Sequence, residues 1–207
     1  LKSGKTRNFA IKKAQGNFIA FLDSDDLWHP EKLSIQIPFM LENGHNFTHT
    51  SYGYIDEEGN SIKSTFHVNK KVTYFDLLKR TEISCLTAIY NADGIGKFYM
   101  SEHARKQDFF LWLAILKSGV PSFGIDQELA SYRQVKNSAT SNKYKLIGGS
   151  SFFTRQYKLQ HELNGPAFYE LGITNPTKGS KAILVVVIRF PPFTSTGSDT
   201  RCIARYS

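Results

Sequence analysis

The sequence predicts an α/β domain, and three neighbouring segments carry this prediction. Residues 6–14 show the apolar spacing of a helix, and Gly16 follows as its C-terminal cap. A continuous apolar run over residues 18–22 is typical of a strand buried on both faces of a parallel sheet. After a short acidic loop, Pro30 begins a second amphipathic helix, which ends at Asn43-Gly44. Helix, buried strand, loop and helix in this order indicate a sheet flanked by helices.

The elements that follow are short strands and helices. Apolar alternation between turn residues predicts further strands, which cover residues 47–55, 62–68, 86–90, 120–125 and 129–133. Helical patterns predict three more helices, which cover residues 74–78, 108–116 and 143–163. The helix over residues 108–116 is apolar almost all round, so we expect it to be buried. Asp108 falls in its first turn, where an acidic side chain suits the helix dipole.

Composition excludes several classes of protein. The 207 residues suit one domain or a large part of one, and 41% hydrophobic with 14% aromatic residues is too apolar for a disordered chain. No apolar run approaches the ~18 residues that a membrane span needs. Two cysteines, Cys85 and Cys202, make neither a disulfide framework nor a metal-ligand pattern, which favours a reducing compartment. The chain begins without an apolar signal region or an initiator methionine, which suggests a fragment.

The net charge of +8 points to an anionic partner, but half of it lies in residues 175–207. We predict that these residues form a poorly ordered basic tail outside a domain of residues 1–174. One apolar run in the tail, residues 182–188, has the β-branched content of a strand and is able to pair at an exposed sheet edge. Pro191-Pro192 and the basic flanks argue against such a fit.

The acidic loop after the first strand is the sharpest indication of function. Asp23 and Asp25 stand one residue apart at the end of a buried strand, where ligand sites lie in α/β sheets, and Asp26 follows. Hard carboxylate oxygens in this pattern bind a divalent cation, which keeps positions open for phosphates. The simpler alternative is an acidic turn in which Asp25 or Asp26 only caps the next helix.

Two other metal-binding motifs fit this loop poorly. A calcium-binding loop needs further oxygen ligands, a central glycine and a terminal glutamate, but Leu27, Trp28 and Ser34 occupy those places. A haloacid-dehalogenase-type phosphatase also begins with a strand and an Asp-x-Asp, but Leu27 and Trp28 replace its small turn residues.

A third motif fits better. The string from Phe21 to Leu33, FLDSDDLWHPEKL, closely resembles the metal-binding motif of family 2 glycosyltransferases. Before it, TRNFAIKKAQG at residues 6–16 is similar to that family's Ala-Arg-Asn-x-Gly helix. After it, QDFFLWL at residues 107–113 resembles the family's Glu-Asp-x-x-Leu-Trp-Leu segment, and YR at residues 132–133 with SATSNK at 138–143 resembles its Tyr-Arg and serine-rich close. The resemblance covers about residues 1–174.

The resemblance implies a GT-A nucleotide-sugar-binding fold, a Rossmann-like mixed sheet flanked by helices. Members of the family begin with a strand, a helix and a strand before the Arg-Asn helix, so we expect these first strands to be missing here. The implied activity is a metal-dependent, inverting transfer of a sugar. The donor is a UDP-linked nucleotide-sugar, and the sugar passes to the hydroxyl of a saccharide or lipid-linked acceptor. Similar enzymes build cell-surface polysaccharides in the cytoplasm, at the inner face of the membrane, which implies peripheral membrane contact.

The resemblance also implies roles for particular residues. Asp23 and Asp25 would hold Mg²⁺ or Mn²⁺, Asp26 and Arg7 would lie at the nucleotide-sugar, and Asp108 would be the catalytic base. Gln107 stands where the family has glutamate, so a second carboxylate beside the base is absent from this sequence. Two other functions stay open, a catalytically inactive fragment and a basic nucleic-acid-binding module. Against nucleic acid, no interleaved basic and aromatic motif stands out in the body.

Overall fold

The computed structural model describes residues 3–101 and 106–134, and the backbone alone of residues 168–174 and 183–189. The predicted helix over residues 143–163 and the serine-rich segment at 138–143 lie outside the described residues. Strands and helices follow one another in this order: α1 (Ser3–Lys13), β1 (Phe18–Asp23), β2 (Leu27–Trp28), α2 (Lys32–Glu42), β3 (Phe47–Ile55), β4 (Ser61–Phe66), β5 (Lys71–Val72), α3 (Tyr74–Lys79), β6 (Ile89–Asn91), α4 (Ala92–Ile95), α5 (Gln107–Lys117), β7 (Ser122–Arg133), β8 (Phe168–Thr174) and β9 (Ile183–Arg189).

Turn chemistry fixes several of these boundaries. Thr73 and Asp76 form a capping box at the start of α3, where the Thr73 N–H donates to the Asp76 carboxylate at 3.0 Å. Gly59 in the turn between β3 and β4 and Gly119 after α5 have φ of 97° and 93°, backbone conformations that favour glycine. The sequence therefore places these ends correctly.

The strands form one mixed sheet in the order β2-β7-β3-β6-β1-β9-β8, with β4 beside β3 and β5 beside β7. Only β3 and β7 run parallel among the described pairs. The prediction that β1 belongs to a parallel sheet is wrong, because β6 and β9 pair with it antiparallel on its two sides. Its burial on both faces is nevertheless confirmed, since residues 18–22 are all buried.

Helices cover both faces of the sheet, and β1 contributes side chains to each. Ile19 and Phe21 pack with residues of α1 and α5, including Ile11 and Trp112. Phe18, Ala20 and Leu22 pack on the opposite face, against apolar side chains of α2. Asp23 continues the alternation of Ile19 and Phe21 and therefore belongs to the face that α1 and α5 cover.

Four predicted elements differ from those observed. The strands predicted over residues 120–125 and 129–133 are one continuous strand, β7. The strand predicted over residues 86–90 is a 3₁₀ turn, Cys85–Thr87, followed by the short strand β6. Within the predicted tail, residues 183–189 form β9, which pairs with the whole of β1. The domain boundary at residue 174 stays a prediction.

Candidate active site

Three carboxylates converge where β1 ends. Asp23 is the last residue of β1, and the Asp26 N–H donates to the Asp23 carbonyl at 3.0 Å, which closes the loop into a tight turn. Carboxylate oxygens of Asp23, Asp25 and Asp26 lie within 4.8 Å of one another. This donor set consists of hard oxygens only and suits Mg²⁺ or Mn²⁺. The residues that the sequence singles out as metal ligands, Asp23 and Asp25, are therefore brought together.

Arg7 reaches this cluster from α1. Its Nη2 donates to Oδ1 of Asp23, and only 9% of its side chain is exposed. Burial by itself lowers the pKa of Arg7, but the nearby carboxylates of Asp23 and Asp108 raise it, and the balance lies above the usual value. Arg7 is therefore a fixed positive charge beside the carboxylates. From the sequence alone, an exposed charge on the helix surface is an equally good interpretation of this residue.

The next residue, Asn8, has a structural task that sequence reasoning missed. Its side-chain amide donates to the Met100 carbonyl at 2.9 Å and its carbonyl accepts the Met100 N–H at 2.7 Å. Met100 Sδ in turn lies 3.8 Å from Nη1 of Arg7. The Arg-Asn pair of α1 thus binds the acidic loop with one side chain and the segment before α5 with the other.

Asp26 differs from its two neighbours because it is almost fully buried, with 3% of the residue exposed. Its Oδ1 accepts the backbone N–H of Arg133 at 3.0 Å. The Arg133 side chain donates from Nε to the Asp25 carbonyl at 2.8 Å and from Nη1 to the carbonyls of Asp56 and Glu57 at 2.6 and 2.8 Å. Asp26 and Arg133 therefore shape the acidic loop and tie it to the turn between β3 and β4.

Asp108 lies in the first turn of α5 and is partly exposed. Its negative charge raises the pKa of Arg7 and of Cys85. The neighbouring Gln107 is buried against Gly4, where an added Cβ would come within 2.9 Å of Gln107 Cδ. The starts of α1 and α5 consequently pack closely together.

Two residues near the site are better explained as core. Trp112 is fully buried, with its ring centroid 5.6 Å from that of Phe21 and 5.4 Å from that of Phe47. Cys85 belongs to the 3₁₀ turn and packs against the core cluster that contains Trp112. Enclosure by the protein raises the pKa of its thiol, Arg7 lowers it, and Asp23, Asp108 and Asp26 raise it further, so the thiol stays protonated. Sequence reasoning missed this position because Cys85 belongs to no motif.

A buried polar network supports the loop from the other face. Trp28 Nε1 donates to the Leu86 carbonyl at 2.7 Å, and Lys32 Nζ donates to Gln36 Oε1 at 2.6 Å and to the Thr87 carbonyl at 3.1 Å. Burial lowers the pKa of Lys32 to about 7. The residues that follow the acidic loop are thereby fixed to the 3₁₀ turn that carries Cys85.

The comparison with protein families agrees with this geometry. Residues 2–103, about half of the chain, match the family model described as glycosyl transferase family 2. This stretch contains α1 with Arg7 and the whole acidic loop. The chain belongs to glycosyl transferase family 2. The resemblance of its motifs to that family is therefore confirmed.

Curated members of family 2 are similar to this chain over most of its length. It is 38% identical over 155 residues to the putative teichuronic acid biosynthesis glycosyltransferase TuaG of Bacillus subtilis, covering 75% of this chain and 62% of TuaG. It is 40% identical over 142 residues to the Escherichia coli UDP-Glc:alpha-D-GlcNAc-diphosphoundecaprenol beta-1,3-glucosyltransferase WfgD, covering 68% of this chain and 55% of WfgD. This family 2 chain thus spans 55–62% of these two relatives.

Among solved structures, the family 2 chain matches S. aureus TarS 1-349 in complex with UDP-GlcNAc. The TM-score is 0.48 at 19% sequence identity, over 75% of this chain and 44% of that chain. Such a partial match does not bear on the donor or the acceptor. Within the part of the chain that the structure describes, no helix is long and apolar enough to cross a membrane.

Proposed function

We propose that this family 2 chain carries the donor-binding and catalytic residues of a metal-dependent, inverting glycosyltransferase of GT-A type. The donor is a UDP-linked sugar and the acceptor is a hydroxyl of a saccharide or lipid-linked saccharide. The observation that carries the proposal is the cluster of Asp23, Asp25 and Asp26 with Arg7 paired to Asp23. The names of TuaG and WfgD, which cite teichuronic acid and a lipid diphosphate, support a place in cell-surface polysaccharide synthesis.

Asp23 and Asp25 are the residues that hold the cation. Mg²⁺ or Mn²⁺ held there would supply positive charge to neutralise the departing nucleoside diphosphate. Asp26 contributes mainly by holding the loop in shape, since its Oδ1 accepts the Arg133 amide. Arg7 adds a permanent positive charge on the side of α1, where it is placed to bind a donor phosphate.

Asp108 is the residue that we assign as general base. In a single displacement, the acceptor hydroxyl attacks the anomeric carbon from the face opposite the leaving group, so no enzyme nucleophile is needed. The Asp108 carboxylate accepts the hydroxyl proton as the new glycosidic bond forms. Its partial exposure at the start of α5 leaves it accessible to an acceptor. We further propose that the reaction takes place in the cytoplasm at the inner face of the membrane.

The first prediction tests the metal ligands. Asp25→Asn should weaken Mn²⁺-dependent binding of UDP at least about tenfold. Losing a direct metal ligand lowers metal affinity at least as much as losing a residue that only supports a ligand. Isothermal titration calorimetry with UDP, in Mn²⁺ and in EDTA, measures the effect. The fold should persist, since Asp25 is partly exposed at a loop.

Glu58→Gln is the matched control, since Glu58 is exposed in the turn between β3 and β4 and the variant removes the same charge. It should bind UDP and Mn²⁺ like the original chain. Equal affinity of Asp25→Asn and the original chain for UDP in Mn²⁺ would contradict the metal assignment.

A further inference from the structure

The Arg7–Asp23 ion pair engages Asp23, one of the two residues that we propose to hold the cation. Nη2 of Arg7 donates to Oδ1 of Asp23, the same residue whose carboxylate completes the cluster of three. An arginine cannot lose its proton at any working pH, so it competes with a divalent cation for the negative charge of Asp23. The pair must therefore loosen when a cation binds to Asp23.

Arg7 is held at this position by few strong bonds. Among the described residues, the hydrogen-bond partner of its Nη1 is the sulfur of Met100, a weak acceptor, at 3.8 Å. Its Nε is buried and has no hydrogen-bond partner among the described residues. A guanidinium that is nine-tenths buried and has an unused donor beside a proposed phosphate site is able to bind a second anion.

We propose that Arg7 is an internal counterion of the cation site, which pairs with Asp23 in the free protein and transfers to the diphosphate when a cation binds Asp23. This inference rests on the proposed function. The diphosphate removes Arg7 from Asp23 and so favours the cation, and the cation releases Arg7 and so favours the diphosphate. Because such coupling is reciprocal, each ligand should raise the affinity for the other by the same factor.

The first experiment changes Arg7. Arg7→Gln should bind Mn²⁺ alone about fivefold more tightly than the original chain, the factor expected from one ion pair of moderate strength. The same variant should bind UDP in the presence of Mn²⁺ at least about fivefold more weakly, because a charged hydrogen bond to phosphate is lost. Mn²⁺ binding is measured by electron paramagnetic resonance and UDP binding by calorimetry.

Two variants control for charge and shape. Lys13→Gln removes one positive charge from the exposed end of α1 and should change neither affinity by more than about twofold. Arg7→Lys keeps the charge and should not tighten Mn²⁺ binding. Circular dichroism and thermal unfolding show whether each variant folds.

The second experiment changes Asp23 and does not depend on the folding of an Arg7 variant. In EDTA, Asp23→Asn should bind UDP more tightly than the original chain, because Arg7 is then free to bind phosphate. Asp25→Asn is the matched control, since it removes one carboxylate from the same cluster and leaves the Arg7–Asp23 pair in place. The gain in metal-free UDP affinity should be several-fold larger for Asp23→Asn than for Asp25→Asn.

The outcomes separate this inference from the proposed function. If the original chain binds neither Mn²⁺ nor UDP, both fail. If it binds both, but Arg7→Gln leaves Mn²⁺ affinity unchanged or Asp23→Asn gains no more than Asp25→Asn, the counterion inference fails and the proposed function stands. Opposite changes in Mn²⁺ and UDP affinity for Arg7→Gln support the inference.

Discussion

Asp108, the proposed general base, lies on a different element from the proposed cation site. It belongs to α5, whereas the carboxylates proposed to bind the cation belong to β1 and its loop. A general base acts only when the acceptor reacts, so its removal should spare the donor.

In a version of the chain extended to the length of its relatives, Asp108→Asn should therefore lower sugar transfer at least about 100-fold, with Mn²⁺-dependent UDP binding unchanged. The assay measures UDP release from UDP-sugars in the presence of lipid-linked saccharides, and calorimetry measures UDP binding. Lost UDP binding with an unchanged rate per bound donor would make Asp108 a binding residue.

Lys32 gives a prediction about pH. Its folded-state pKa of about 7 lies below the ordinary value of 10.5 because the side chain is buried. Between these two values the unfolded chain binds more protons than the folded one, so stability rises with pH in that window. Relative to Lys32→Met, the original chain should gain up to ~1.4 kcal/mol of unfolding free energy per pH unit from pH ~7 to ~10.

Urea unfolding of both proteins at several pH values measures this difference. The subtraction removes the contribution of groups that titrate alike in both chains. Parallel curves for the two proteins would mean that Lys32 keeps its ordinary pKa in the folded state.

At the scale of the elements, Arg133 connects β7, the acidic loop and the turn between β3 and β4. It ends β7, and its guanidinium donates to carbonyls on both the acidic loop and the turn between β3 and β4. Arg133→Lys keeps the charge but has a single nitrogen, which cannot bridge both segments. We expect faster amide hydrogen exchange over residues 24–28 and about tenfold weaker Mn²⁺ binding, the scale of lost supporting contacts.

Lys63→Gln, an exposed change in β4, is the control for this effect and should leave loop exchange as it is. If the loop amide hydrogens of Arg133→Lys exchange at the same rate as those of the original chain, the loop is held by the Asp26 carboxylate and the Arg133 backbone amide alone.

Local patterns predicted most elements, because apolar spacing and caps report which faces are buried and where helices end. They did not predict the direction of the neighbours of β1. An apolar run reports burial on two faces, whereas strand direction depends on segments far along the chain. The motif residues of the site were predicted by resemblance. Cys85 and the Asn8–Met100 contacts were not, because they arise only when distant segments pack.

At the scale of the whole molecule, β9 protects one side of β1. Its backbone pairs with β1 from Phe18, opposite Ile188, to Asp23, opposite Ile183. A chain that ends at Thr174 lacks this partner and exposes unpaired N–H and C=O groups of an apolar strand. We expect it to associate into oligomers, as measured by light scattering at micromolar concentration.

Two further chains isolate the cause of this association. Val186→Pro removes a backbone N–H in the middle of β9 and should associate like the shortened chain. A chain that ends at Arg189 keeps β9 and should behave like the original. If the chain ending at Thr174 remains monomeric, β9 is not what protects β1.

The pairing of β1 with β9 also has a consequence for biosynthesis. During translation, β1 and its acidic loop are made long before β9, so the strand that borders Asp23 is added much later than the strand it protects. Contacts between such distant segments form slowly because a long loop must close first. Until β9 is made, the nascent chain therefore carries an apolar, half-paired strand, and we expect chaperones that shield apolar segments to raise its yield.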